Sequence, residues 1–202
     1  MKAVVCTKLG KPNLLEIKDI DKPTINKDEV LIKVEVAGVN FPDALLVQGK
    51  YQIVIDPPFI PGNEVCGIIE EKGENVDIPL GTKVIGIPPI GGFAEFVTIN
   101  KNLVIPVSMN FDSLAGASLP INYGTSYYAL KRRANAQSGE SLLVLGASGG
   151  IGTATIQLAK VMGLKTICAV GSDNKEEYVK SLGGDQIVRY DQVDLKETVK
   201  EL

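Results

Sequence analysis

Between Leu142 and Val170 the chain reads LLVLGASGGIGTATIQLAKVMGLKTICAV: an apolar run, a glycine cluster, an amphipathic stretch and a second apolar run. That order is strand, turn, helix and strand, the unit that binds a dinucleotide. Leu142 to Leu145 form a continuous apolar strand, the pattern of a strand covered on both faces. Gly146, Gly149, Gly150 and Gly152 let the backbone turn tightly and approach a pyrophosphate. From Ile151, the apolar or small residues Ala154, Thr155, Leu158, Ala159 and Met162 recur at helical spacing. Gly163 ends the helix and Lys165 to Val170 make the second strand. Ser148 replaces the second glycine of a strict G-x-G-x-x-G, so the weight rests on the complete βαβ unit. The competing reading is a glycine turn with a purely structural purpose.

The end of the second strand bears on which nucleotide binds. An NAD site places an Asp or Glu there to hold the ribose hydroxyls. Here the strand runs into Gly171, Ser172, Asp173, Asn174 and Lys175. Gly171 leaves room where a carboxylate repels a phosphate, and Ser172 and Lys175 donate hydrogen bonds and charge to one. This predicts NADP(H). Asp173 argues the other way, since a small change of loop path makes it the ribose acid. Lys175 also reads as an ordinary solvated residue of the following helix.

The chain has 202 residues, enough for two modest domains. Its 21 basic and 24 acidic side chains and pI near 5.1 argue against a nucleic-acid surface. No run of about 18 apolar residues exists to span a membrane, and MKAVVCTKLGKPN is too briefly apolar for a secretory signal. Cys6, Cys66 and Cys168 are odd in number and widely spaced, which predicts buried thiols in a reducing cytoplasm. There is no histidine and no C-x-x-C pair, which excludes a Ser-His-Asp triad, a histidine-bound zinc and a structural zinc knuckle. The chemistry then falls to a cofactor, hydroxyls, amides, lysines or carboxylates.

Residues 1 to about 110 read as β-rich. EVLIKVEVA, Glu29–Ala37, alternates as a half-buried strand. Shorter strand candidates are Ala3–Cys6, Leu15–Ile20, Val65–Glu70, Lys83–Ile87 and Phe93–Ile99, separated by proline- and glycine-rich turns. Short strands so punctuated suggest a small barrel. Asp112 or Ser113 is placed to cap a helix, and another helix is expected over Thr125 to Ala134. A βαβα pattern then runs to the end.

A β-barrel followed by a nucleotide-binding half-sheet resembles the medium-chain dehydrogenase/reductase superfamily. Within it, the chain is similar to the zinc-independent quinone oxidoreductases, the zeta-crystallin-like proteins. AGVNFPDALLVQGKY at 37–51 resembles that branch's active-site segment, and PGNEVCGIIEEKG at 61–73 its next signature. LPINYGTSYYAL at 119–130 resembles the interdomain helix that precedes the GASGGIG turn at 146–152. The fold implied is mixed β and α/β: a GroES-like domain over 1–122, then the N-terminal part of a Rossmann domain over 123–202. Zinc alcohol dehydrogenases of the superfamily use a cysteine where this chain has Asn40 and a histidine where it has Asn63, so the resemblance implies metal-free chemistry.

What the resemblance implies is hydride transfer from NADPH to a quinone or an activated alkene (enone), a small-molecule acceptor. Asn40 and Tyr51 are the candidates to polarise the acceptor's carbonyl, with Tyr51 also touching the cofactor. Against this, Asn40 reads equally as a turn amide satisfied by backbone, and Tyr51 as a packed aromatic with a wet hydroxyl. Ala147, Ser148, Gly149, Gly150 and Ile151 are expected at the pyrophosphate, at a helix N-terminus. Thr125 is expected on the nicotinamide side, unless it is only a cap. Tyr190 is expected to border the adenosine phosphate, with Arg189 adding charge, unless Tyr190 is a strand-end aromatic. Tyr127-x-x-x-Lys131 has the spacing of the short-chain dehydrogenase acid pair, but it precedes the glycines instead of following them.

A full dinucleotide fold orders its strands 3-2-1-4-5-6. The chain supplies strands 1, 2 and 3, then LKETVKEL as a crossover helix. The expectation is an incomplete copy of a protein that is a homodimer in full-length form, with strand 1 left as an exposed edge and low or absent activity for these residues alone. Two other functions stay open: an enoyl-thioester reductase of the same superfamily, and a non-catalytic, crystallin-like NADPH-binding protein.

Overall fold

Glu29–Ala37 organises the first half of the molecule, because its two edges both find partners and Val30 to Ile32 are buried in succession. The computed structural model describes residues 1–202 as two units, Met1–Pro120 and Ile121–Leu202. In the first, β1 (Lys2–Val5) and β2 (Glu16–Asp19) pair as an antiparallel hairpin. β3 (Glu29–Ala37), β4 (Val65–Lys72), β5 (Lys83–Gly86), β6 (Phe96–Asn100) and β7 (Val104–Pro106) form an antiparallel sheet ordered β6-β3-β4-β5-β7. Register shifts at Leu31/Ile32 and Val34/Val36 bend β3 against β4. Isolated bridges Ala3↔Ala94 and Cys6↔Phe59 tie the hairpin to the chain outside the sheet.

The reading of β3 as half-buried holds for its second part, where exposed Lys33 and Glu35 alternate with Val34 and Val36, and is corrected for its first, where Val30, Leu31 and Ile32 are all sealed from solvent. Val30 and Ile32 pack with Val65, Ile69, Val84 and Ile99 into the main core of this unit. Each such side chain contributes about 1.5–3 kcal/mol on burial. Three helices complete the run to residue 127: α1 (Phe41–Leu46), α2 (Ser113–Gly116) and α3 (Leu119–Tyr127). Asp112 caps α2 by accepting from the Leu114 N–H at 3.0 Å. The helix expected over Thr125–Ala134 is instead the end of α3 continued by a π-helical segment, Tyr128–Arg133.

The second unit carries three parallel strands, β8 (Ser141–Val144), β9 (Lys165–Val170) and β10 (Gln186–Arg189), in the order β10-β9-β8. The helices α4 (Gly150–Val161), α5 (Asp173–Ser181) and α6 (Leu195–Glu201) alternate with them. Val144, Ala147, Ile156, Cys168, Val170 and Val179 make the core. β8 is an edge strand, and only one of its faces is packed: Val144 is buried, while Leu143 and Leu145 are exposed, Leu145 to 64%. The expectation that Leu142–Leu145 is covered on both faces is therefore corrected. The three cysteines are free and buried, and burial pushes their thiols above the usual range.

Candidate functional site

In the first unit the candidate residues gather at the start of α1. Asn40 is its N-cap: the Asn40 backbone N–H donates to Asp43 Oδ2 at 2.8 Å, the reciprocal half of a capping arrangement. Asp43 Oδ1 accepts a second N–H, from Gly62, at 3.2 Å. Burial pushes the Asp43 carboxyl above the usual carboxylate range, opposed by those two donors. The Asn40 side chain is engaged by two further side chains. Its Nδ2 donates to Glu64 Oε1 at 2.6 Å and to Asn63 Oδ1 at 3.5 Å, and Glu64 is only 1% exposed. Sequence reasoning missed Asp43 and Glu64, although Asn40-x-x-Asp43 ahead of an apolar run is a legible capping signature.

Tyr51 and Asn63 line a cavity of about 230 Å³ together with Pro42, Asp43, Leu46 and Ile55. Tyr51 packs by its ring on the buried cluster of Cys6, Leu46, Val47 and Phe59, and its hydroxyl has no hydrogen-bond partner in the protein. Asn40 is not among the lining residues. A larger cavity of about 590 Å³, bordered by Val5, Ile20, Phe59, Phe96 and Val97, contains none of the candidate residues. No three His, Cys, Asp or Glu side chains lie close enough together to hold a metal ion.

In the second unit the glycine turn joins β8 to α4. Gly146 has φ +59°, a backbone conformation that favours glycine. A Cβ on Gly152 would lie 2.5 Å from the Ala147 carbonyl oxygen, so glycine lets α4 sit directly against the turn. The five residues expected at a pyrophosphate divide into two sets. The Ala147 N–H donates to the Ala169 carbonyl at 3.2 Å and the Gly149 N–H to the Gly146 carbonyl at 2.9 Å, so these two hold the turn's shape. Ala147 is also fully buried. Ser148 and the first two residues of α4, Gly150 and Ile151, are left with N–H groups that no protein carbonyl takes up. That is an anion-binding arrangement at a helix N-terminus. Asn122 of α3 packs against Gly150, and Ser126 donates to the Ile151 carbonyl at 3.2 Å. Thr125 is exposed in the seventh position of α3, so it is not a cap.

The other candidate residues surround the end of β9. The Tyr190 N–H donates to the Val170 carbonyl at 3.1 Å, and the phenol lies over Gly171, where a Cβ would meet its oxygen at 2.7 Å. Tyr190 is thus both the strand-end aromatic and a wall of this corner. Ser172 is the N-cap of α5 but its hydroxyl caps nothing, and Lys175 is exposed without an ion pair. Arg189, not singled out beyond added charge, holds Asp173, Glu176 and Asp191.

A GroES-like β unit followed by a Rossmann-type parallel unit with a glycine turn defines a class, and comparison with known proteins agrees. Residues 26–109 match the alcohol dehydrogenase GroES-like domain family and residues 150–202 the family described as zinc-binding dehydrogenase. The bovine quinone oxidoreductase-like protein 2 is 38% identical over 100% of this chain and 58% of its own length. The quinone oxidoreductase of Thermus thermophilus, solved also with NADPH, aligns with a TM-score of 0.86 and 35% identity over 100% of this chain and 64% of the other. That of Escherichia coli, complexed with NADPH, aligns with a TM-score of 0.93 and 25% identity over 100% and 62%. The chain belongs to the medium-chain dehydrogenase/reductase superfamily, among its quinone oxidoreductase-like proteins. It spans about three-fifths of the length of these relatives.

Proposed function

We propose that the protein is a zinc-independent, NADPH-dependent reductase that passes hydride to a quinone or an activated alkene. The observation that carries this is the turn at 146–152, where Ser148, Gly150 and Ile151 present unengaged N–H groups at the start of α4. The residues fit the cofactor at its other end as well. Gly171 leaves space beneath Tyr190, and the Ser172 hydroxyl and Lys175 ammonium are unpaired donors suited to a 2′-phosphate. When bound, NADPH supplies the hydride.

The chain's own residues bind, orient and polarise. Ser148, Gly150 and Ile151 hold the pyrophosphate. The mostly apolar cavity beside Tyr51 suits a flat, electron-poor acceptor, and the Tyr51 hydroxyl is the donor with no protein partner. A donor aimed at a carbonyl oxygen stabilises the negative charge that grows as hydride arrives. Asn40, fixed by Glu64, supplies the second polar group of this end. Asparagines at 40 and 63 and the lack of histidine support chemistry without zinc. Buried free thiols fit a cytoplasmic protein, and the family resemblance a homodimer.

The test is NADPH oxidation with a quinone or an enone, with and without a zinc chelator. Acceptor-dependent consumption that the chelator leaves unchanged supports the reading. NADPH binding without consumption for any acceptor replaces it with the non-catalytic one.

A further inference from the structure

Arg189 ends β10 with its side chain only 11% exposed, and its guanidinium meets three carboxylates. Nε and Nη2 donate to the two oxygens of Asp191 at 2.8 and 2.7 Å, a bidentate grip that fixes the plane of the guanidinium. Nη1 is then left facing α5, where it donates to Asp173 Oδ1 and, at 3.3 Å, to Glu176 Oε2. Asp173 is the first residue of α5, directly after Gly171 and Ser172. It occupies the place of the carboxylate that binds ribose hydroxyls in an NAD site. Its side chain is otherwise open to water, so only Arg189 restrains it.

We infer that Arg189 is a positioning residue for cofactor choice: by holding Asp173, it keeps that carboxylate from the adenosine ribose and lets a 2′-phosphate approach Ser172 and Lys175. This rests on the NADPH reading above. The geometry separates the role from direct phosphate binding. Both outer faces of the guanidinium are already taken by carboxylates, whereas Ser172 and Lys175 carry none. A free Asp173 would act twice against NADPH, repelling the phosphate and accepting from the 2′-hydroxyl of NADH.

The experiment is a double-mutant cycle on the protein, read as dissociation constants for NADPH and NADH by calorimetry, with 2′,5′-ADP as a probe of the phosphate corner. Arg189→Met is expected to lower the NADPH-over-NADH preference by about tenfold or more, since it frees a charge within reach of the phosphate. Asp173→Asn alone is expected to change it by less than about threefold, because the carboxylate is already paired. Asp173→Asn added to Arg189→Met is expected to restore most of the preference and of the 2′,5′-ADP affinity, and Arg189→Lys to keep part of both. A purely structural Arg189 would weaken both cofactors equally, and Asp173→Asn would restore nothing. An Arg189 that binds the phosphate itself would show the loss of preference with no restoration. Either result overturns the inference while leaving an NADPH-preferring parent intact. A parent protein that prefers NADH overturns the cofactor reading itself, and this inference with it.

Discussion

The side-chain amide of Asn40 donates to Glu64 Oε1 at 2.6 Å, and Glu64 is sealed from solvent. A carboxylate carried into the interior therefore fixes the amide at the head of α1. Removing the acceptor takes from a part-buried amide its shorter hydrogen bond, a loss larger than the net worth of an exposed one.

Glu64→Ala is expected to lower stability by about 1–3 kcal/mol, and Glu64→Gln, which can still offer an oxygen to Asn40, by clearly less. Urea unfolding of the two variants beside the parent checks the order. Equal losses would mean that the volume of residue 64 matters and its acceptor does not.

Asn40→Ala separates the two units by their roles. On the proposed function it is expected to reduce kcat for quinone reduction about tenfold to a hundredfold, as loss of a polar group that orders the acceptor's end does, while the NADPH dissociation constant stays within about twofold, since the proposed nucleotide contacts lie on other elements. Steady-state kinetics and a cofactor titration on the same preparation decide it. A weakened cofactor with unchanged kcat contradicts the assignment.

Gly152→Ala acts on the glycine turn. The added Cβ meets the backbone of Ala147 at 2.5–2.6 Å, and backbone cannot swing aside as a side-chain end would. Overpacking of this kind costs about 1–3 kcal/mol and moves the first turn of α4. The expected result is a lower melting temperature together with at least tenfold weaker NADPH binding.

Asp185 locks the start of β10 to β9. Its Oδ2 accepts from the Thr166 N–H at 2.7 Å and the Thr166 hydroxyl at 2.8 Å, which lowers its pKa below the usual carboxylate value. A carboxyl with a lowered folded-state pKa stabilises the fold above its unfolded pKa, near 4, and the contribution disappears as pH falls through the folded value. The stability gap between parent and Asp185→Asn is thus expected to be full at pH 7 and to shrink below about pH 4. A gap independent of pH would place the effect in packing.

Much of this architecture could be read directly from the residues. Lys165–Val170 and Glu29–Ala37 match β9 and β3 end for end, because long apolar or alternating runs carry their own period. α1 and β7 were missed, since six and three residues are too few to show one. The burial of Leu143 and Leu145 was misjudged, because an apolar run does not reveal which face a neighbouring element covers. The place of Gly171, Ser172 and Lys175 just after a strand was legible, because β9 carries its own apolar period. The grip of Arg189 on Asp173, sixteen residues away, depends on two strands lying side by side and leaves no local pattern. The pairing of Asn40 with Glu64 across a 24-residue gap is of the same kind.

The account stands on NADPH occupying the second unit with its phosphate at Ser172 and Lys175. The most direct measurement is a fluorescence titration of NADPH into the protein, with NADH as control and Lys175→Ala alongside. The account predicts saturable binding that favours NADPH, with the preference reduced in Lys175→Ala. Tighter binding of NADH would contradict it and make Asp173 the ribose acid.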